Sequence, residues 1–126
     1  MFRLVKVENG RINVGEPEFY PGGASAITQG EGLILSSGKL VVCGATTKPA
    51  FVALAKADAN AAEVPVVPVT PEQVYEADAS VSVSAAVVGT KVTLTATGDE
   101  ITSTTTSGVA TILAILADKK ALVKFE

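Results

Sequence analysis

Apolar and polar residues along this chain change places over short distances, and most of the changes have the period of a β-strand. The opening FRLVKVE is followed by Asn9-Gly10 and then RINV. Asn-Gly supplies the positive φ angles of a two-residue turn, so the spacing predicts an N-terminal β-hairpin. Phe2, Leu4 and Val7 would share a face with Ile12 and Val14, leaving Arg3, Lys6 and Arg11 in solvent. Between Gly15 and Gly32 the pattern breaks down. GEPEFYPGGASAITQGEG holds two prolines and five glycines in turn-forming clusters, which predicts a long surface excursion.

Strand signals return in LILSSGKLVVC, Leu33 to Cys43, two apolar runs around Ser37-Gly38. The Gly-Lys pair invites comparison with a phosphate-binding loop, which needs a glycine five positions earlier and Ser or Thr after the lysine. Leu33 occupies the first of those positions and Leu40 the second, and no helix start follows. Ser37-Gly38 therefore reads as a hairpin turn and Lys39 as a solvated strand residue. Ala50–Leu54 reads as a short strand and KADANAAE as a loop. Val64–Val69, VPVVPV, is β-rich, but proline cannot donate to a ladder, so it reads as an edge strand or the ends of two short ones. Thr70-Pro71-Glu72-Gln73 can start a single helical turn before VYEA.

The plainest alternation is TKVTLTATG, where Val92, Leu94 and Ala96 interleave with Thr93, Thr95 and Thr97. It predicts a half-buried strand with a threonine face, turned at Gly98-Asp99 into a second exposed strand, EITSTTT. Val109–Leu116 fits a helix by hydrophobicity alone. Its β-branched residues, with Gly108 and Asp118-Lys119 as flanking turn signals, favour a strand paired with Ala121–Phe125.

Composition narrows the picture. A chain of 126 residues is one domain on size, and can bury about two-thirds of its unfolded surface. Hydrophobic residues make up 48% and charged residues 18%, which excludes a disordered tail. The net charge of −3 argues against direct binding of nucleic acid or an anionic membrane. No apolar run approaches the roughly 18 residues of a membrane-spanning helix. MFRLVKVENG lacks the apolar core of a signal peptide, so the expectation is a protein made and used without Sec export. A single cysteine forms no internal disulfide, which suits a reducing compartment.

Candidate chemistry is sparse. With no histidine, His-containing triads and the commonest transition-metal ligand are excluded. Cys43 ends an apolar strand and reads as a buried spacer. The carboxylates Asp99-Glu100, Glu16/Glu18 and Glu72/Glu76 are the only groups for acid–base work, and charged residues at turns are usually solvated. ADANAAE offers Asp58, Asn60 and Glu63 but lacks the glycine and carboxylate number of a calcium loop. Without tryptophan, a sugar-binding platform would have to use Tyr20 and Tyr75. Tyr20 could instead contact a partner or anchor its loop, and the threonines of Thr102–Thr106 can simply solubilise a strand. No catalytic, cofactor-binding or metal-binding residue is expected.

The segments GEGLILSSGKLVVCGATTKPAFVAL, VPVVPVTPEQVYEAD and VGTKVTLTATGDEITSTTTSGVATILAIL, closed by ALVKFE, cover about three-quarters of the chain. In order and phrasing this layout resembles the capsid decoration, or head cement, proteins of tailed bacteriophages. The resemblance implies a mainly β protein: a small antiparallel barrel, β-tulip or sandwich over 30–126, preceded by the hairpin and Gly/Pro-rich excursion of 1–29. It implies a non-enzymatic virion protein, made in the host bacterial cytoplasm and placed on the outer capsid surface. There it would clamp major capsid protein subunits against internal DNA pressure, as a homotrimer at threefold or quasi-threefold positions. The N-terminal segment of such proteins often reaches the shell, which nominates Phe2, Arg3, Leu4, Val5, Lys6 and Val7 as capsid contacts, with Tyr20 as a further partner contact. An adhesion or carbohydrate-binding module, favoured by Tyr20 and Tyr75 beside a groove, is the alternative reading. A small enzyme using carboxylates alone is a third.

Overall fold

The computed structural model describes residues 1–8 and 17–126. Ten strands follow in chain order: β1 (Phe2–Val7), β2 (Glu18–Tyr20), β3 (Gly32–Ser36), β4 (Lys39–Val42), β5 (Phe51–Ala53), β6 (Val64–Pro68), β7 (Gln73–Asp78), β8 (Lys91–Val92), β9 (Ala110–Ala117) and β10 (Lys120–Phe125). They form two antiparallel five-stranded sheets, β1-β7-β10-β9-β8 and β2-β6-β5-β3-β4, which do not close into a barrel. The result is a small β-sandwich. One 3-10 turn, Ala85–Val87, accompanies them.

Each sheet owes its place to alternation. In the first sheet, Tyr75 and Ala77 of β7 and Ala121, Val123 and Phe125 of β10 point inward. Phe2 meets the ring of Phe125 edge-on at 5.0 Å between centroids. Val52, Val67 and Cys43 of the second sheet close this core from the other side. The second sheet is apolar on its opposite face too: Leu33, Leu40, Ala53, Val64 and Val66 pack beneath Ile27, Ala57 and Ala61. A sheet covered on both faces needs near-continuous apolar strands, which explains VPVVPV and AFVAL.

That second layer corrects the expectation of a loose surface excursion at Gly15–Gly32. Its described part contributes β2, a bridge from Gly22 to Leu40, and a bridge from Ile27 to Ala57 that buries Ile27. Val64–Pro68 is likewise no edge: β6 lies between β2 and β5. The Pro65 carbonyl accepts the Leu54 N–H at 3.0 Å, so the missing Pro65 donor faces β5, just past the last pair, Ala53↔Val66. Pro68, three residues on, faces the other edge, past the last β2 pair, Glu18↔Val66. Among the described residues, neither proline removes a ladder bond.

One expected turn lies outside the described residues, and three further expectations change. The Asn9-Gly10 turn, with Arg11, Ile12 and Val14, lies outside the described residues; β1 itself pairs with β7, Phe2↔Ala77 to Val7↔Gln73. The threonine strand shortens to Lys91–Val92, followed by a bridge between Leu94 and Ile101. Val92 and Leu94 are buried, but Ala96 is exposed, and Thr93 is buried because its hydroxyl meets that of Thr102 at 2.7 Å. EITSTTT forms no strand beyond Ile101. Thr70–Gln73 closes one tight turn, with Gln73 N–H donating to the Thr70 carbonyl at 3.2 Å, and passes straight into β7.

Two of the expected hairpins are present. Ser37 and Gly38 both have positive φ, 51° and 78°, the geometry of a two-residue turn between β3 and β4. β9 and β10 pair around Asp118-Lys119, with register shifts on β9.

Gly30 fixes the start of β1. Its carbonyl accepts the Phe2 N–H at 2.9 Å while its own N–H donates to Ala53 at 2.8 Å. Its φ is +79°, and a Cβ there would lie 3.0 Å from the Phe2 backbone and overlap Met1 Cγ. Gly38 has the same φ sign but open space around it. Gly38→Ala should therefore cost about 1 kcal/mol, the left-handed penalty alone, and Gly30→Ala about 2 kcal/mol or more. Denaturant melts of the two variants check this; equal losses would contradict the close approach at Gly30.

Candidate functional site

The site is a cleft where the edge strand β1 faces the inner surface of the second sheet. Phe2 and Leu4 pair with Ala77 and Tyr75 and turn toward the core; Arg3 and Lys6 pair with Glu76 and Val74. Between Leu4 and Lys6 the register slips by one residue. Val5 is the extra residue of this bulge, and it is left 45% exposed. Bulges of this kind re-aim one side chain at a sheet edge.

The facing wall comes from the paired residues Val52 and Val67, with Leu54 beside Pro65. Pro17 and Gln29 complete a cleft of about 360 Å³ with Met1 and the β1 residues. Leu54 is 44% exposed, and Phe19, paired with Pro65 on the same face, is 55% exposed. An apolar floor thus runs out to an apolar rim. Among the described residues no strand pairs with the outer edge of β1, where the Phe2 N–H meets the Gly30 carbonyl. Chemically the arrangement can bury apolar side chains and pair with an extended backbone.

Of the residues expected to contact a partner, Arg3, Leu4, Val5 and Lys6 line this cleft together. Phe2 also lines it but is a core residue, and Val7 does not reach it. Tyr20 lies elsewhere. Its ring packs 5.0 Å from Phe51 on the opposite face of the second sheet, and its hydroxyl donates to Glu18 at 2.9 Å. The far wall escaped the sequence reading because Val52, Leu54 and Val67 look like ordinary core positions of short strands.

The remaining candidates are dispersed. Cys43 is buried, and burial pushes its thiol up to about 11, the opposite of an activated nucleophile. Tyr75 is fully buried, its hydroxyl donating to Gln73 Oε1 at 2.8 Å, so it forms no exposed platform with Tyr20. Burial raises its phenol well above the ordinary value. Glu76 sits between Arg3 (3.6 Å) and Lys120 (3.4 Å), Asp99 accepts from Thr97 at 2.7 Å, and Glu72 is exposed at a turn. Glu16 lies outside the described residues. Among the described residues, no three His, Cys, Asp or Glu side chains cluster closely enough to hold a metal ion, and Asp58, Asn60 and Glu63 lie on an open loop.

The chain matches no family model and no curated protein sequence.

Among the described residues one carboxylate is buried: Glu31, between Gly30 and Gly32. Desolvation raises its pKa most, opposed by the Thr28 N–H (2.8 Å) and hydroxyl, with Asp99 raising it further. An acid whose folded pKa exceeds its unfolded value contributes stability below the unfolded pKa, near 4.5, and loses it as pH rises through the folded value. Glu31→Gln keeps an acceptor for Thr28 and removes the buried charge. Its melting temperature relative to the native chain should therefore be higher at pH 7 than at pH 4.5. A constant difference across that range would show that Glu31 is solvated.

Proposed function

We propose that this chain is a capsid decoration protein: a structural clasp on the outer surface of a tailed-phage head, bridging major capsid protein subunits. The observation that carries the reading is the bulged strand β1 lying against an apolar cleft, its outer edge unpaired among the described residues. A shell-protein segment in extended conformation would add to that edge by backbone hydrogen bonds and place alternate side chains on Val52, Leu54 and Val67. The layout resemblance of the sequence to such proteins points the same way. The buried, raised thiol and the scattered carboxylates give an enzyme little to work with.

Magnitudes favour several copies acting together. Covering the half-exposed Val5, Leu54 and Phe19 is worth about 1 kcal/mol each, roughly half of full burial. Against the several kcal/mol lost on association, one copy alone would bind weakly. A homotrimer engaging three sites at once raises the apparent affinity through effective concentration.

Truncating Met1–Val7 is a poor test, because it removes Phe2 from the core. Val5→Asp and Leu54→Asp change rim side chains instead. Each should reduce co-sedimentation with heads stripped of their outer layer, from the phage that encodes the chain, by about tenfold or more, equivalent to about 1.4 kcal/mol. The melting temperature should stay nearly unchanged. Undiminished binding by both variants, or no binding by the native chain, would refute the proposal.

A further inference from the structure

A small cavity lies beside β4, at the opposite edge of the second sheet from β2. Leu40 N–H donates to the Pro21 carbonyl and Gly23 N–H to the Leu40 carbonyl, both at 2.9 Å. A Cβ on Gly23 would lie 2.7 Å from the Leu40 carbonyl oxygen, which leaves room only for glycine at this approach. From there the backbone bows out and returns at Ile27, whose N–H donates to Ala57 at 2.8 Å and whose carbonyl accepts from Ala57 at 2.9 Å. Between this bow, pinned at both ends, and residues 40–42 is a cavity of about 170 Å³.

Its floor is formed by buried Ile27, Leu40 and Glu31, its rim by exposed Ala24, Ala26 and Val42. Glu31 is 9% exposed and, among the described residues, is the only charged group lining the cavity. The Thr28 N–H and hydroxyl donate to Glu31 Oε2 at 2.8 and 3.3 Å, and the Glu31 N–H donates to the Thr28 carbonyl at 3.3 Å. One turn thus holds the carboxylate in place. Among the described residues no hydrogen bond reaches Oε1 and no cation forms an ion pair with Glu31. Its ionisable neighbours, Asp99 and the Cys43 thiol, are acids themselves.

We propose that this cavity binds a primary alkylammonium group, its cation on the Glu31 carboxylate and its alkyl stem against Ala26, Ile27 and Leu40. A buried charge is costly until it is paired, and the desolvation that raises the Glu31 pKa reports that cost. An ammonium beside Oε1 supplies the missing partner. Size agrees, since a cavity of about 150 Å³ admits benzene, so this one takes a stem of about four carbons with its ammonium. A metal ion is poorly served by a single carboxylate among apolar walls. Both the end of a lysine side chain and a free small amine have the required chemistry. The cavity shares no lining residue with the β1 cleft, so the inference stands apart from the capsid reading.

Titration of the native chain with n-butylammonium chloride at pH 7 and constant ionic strength, followed by amide NMR, tests this. Saturable shifts should centre on residues 24–27 and 40–42, with a Kd of about 1 mM, reasonable for so small a ligand. n-Butanol, which has the same shape without the charge, should bind about tenfold or more weakly. Glu31→Gln should lose affinity for n-butylammonium to the same extent while keeping a native amide spectrum. Nα-acetyl-lysine methylamide separates the two sources: affinity equal to that of n-butylammonium assigns the cavity to a protein lysine, and weaker binding assigns it to a free amine. The proposal is overturned if n-butylammonium gives no saturable shift at those amides up to about 50 mM. It is overturned equally if n-butanol binds the native chain as tightly, or if folded Glu31→Gln retains native affinity.

Discussion

Three residues, Gly30-Glu31-Gly32, tie the two sheets together, and the geometry of the cleft depends on that knot. Gly30 accepts from Phe2 of β1 and donates to Ala53 of β5; the Glu31 carbonyl accepts from Ala53 at 3.0 Å. Gly32 donates to the Gly98 turn at 2.7 Å and accepts from Cys43 at 3.0 Å. Backbone from five parts of the chain converges where side chains would not fit: a Cβ on Gly32 would meet Cys43 Sγ, the Gly98 carbonyl and Pro49 Cβ, all at 3.1 Å. The buried Glu31 carboxylate is a consequence of this crowding, with Thr28 supplying the hydrogen bonds that compensate it. With the start of β1 fixed to β5 in this way, the bulge at Val5 opens over Leu54 instead of closing on the core.

The second constraint is that one sheet is covered twice. A sandwich of this size normally leaves the outer face of each sheet to water, giving clean alternation. Here the β2-β6-β5-β3-β4 sheet carries Val52 and Val67 toward its partner and Ala53, Val64 and Val66 toward the Ile27 layer. Small residues suit this thin stacking, and they account for a chain that is 48% hydrophobic but only 5% aromatic. The three aromatic rings of the main core, Phe2, Tyr75 and Phe125, contact one another at centroid distances of 5.0 and 5.2 Å and join the β1, β7 and β10 strands. β1 is thus stapled to the body through Phe2, while its outer edge stays free among the described residues.

Local features were legible in the residues, and distant ones were not. Ser37-Gly38 and Asp118-Lys119 are turns whose chemistry is complete within four positions, so both hairpins could be read directly. The pairing of β1 with β7 joins Phe2 to Ala77, and nothing in either strand names the other. The proline rule misled at β6 because it holds separately for each edge of a strand, and a spacing of three sends the two missing donors to opposite sides. Thr93 and Tyr75 looked like surface polar groups because each finds its hydrogen-bond partner, Thr102 or Gln73, only in the fold. For the site, the β1 half of the cleft was nominated only through the family resemblance. The opposite wall was not, since Val52, Leu54 and Val67 become a binding surface only where the first sheet stops covering them.

On the proposed reading, a clasp needs its attachment surface held on a stiff body. β1 and β8 are the two ends of one hydrogen-bonded sheet, about 19 Å apart at the ordinary strand spacing. A load applied at β1 would pass through β7, β10 and β9 as shear across antiparallel ladders and interlocked core rings, with no long linker in which to dissipate. The cleft surface is modest taken singly, with Val5, Leu54 and Phe19 as its half-exposed apolar residues. A weak patch on a rigid sheet holds no single neighbour for long. It becomes strong only when several neighbours are already in place, which is the condition an assembled shell provides and dilute solution does not.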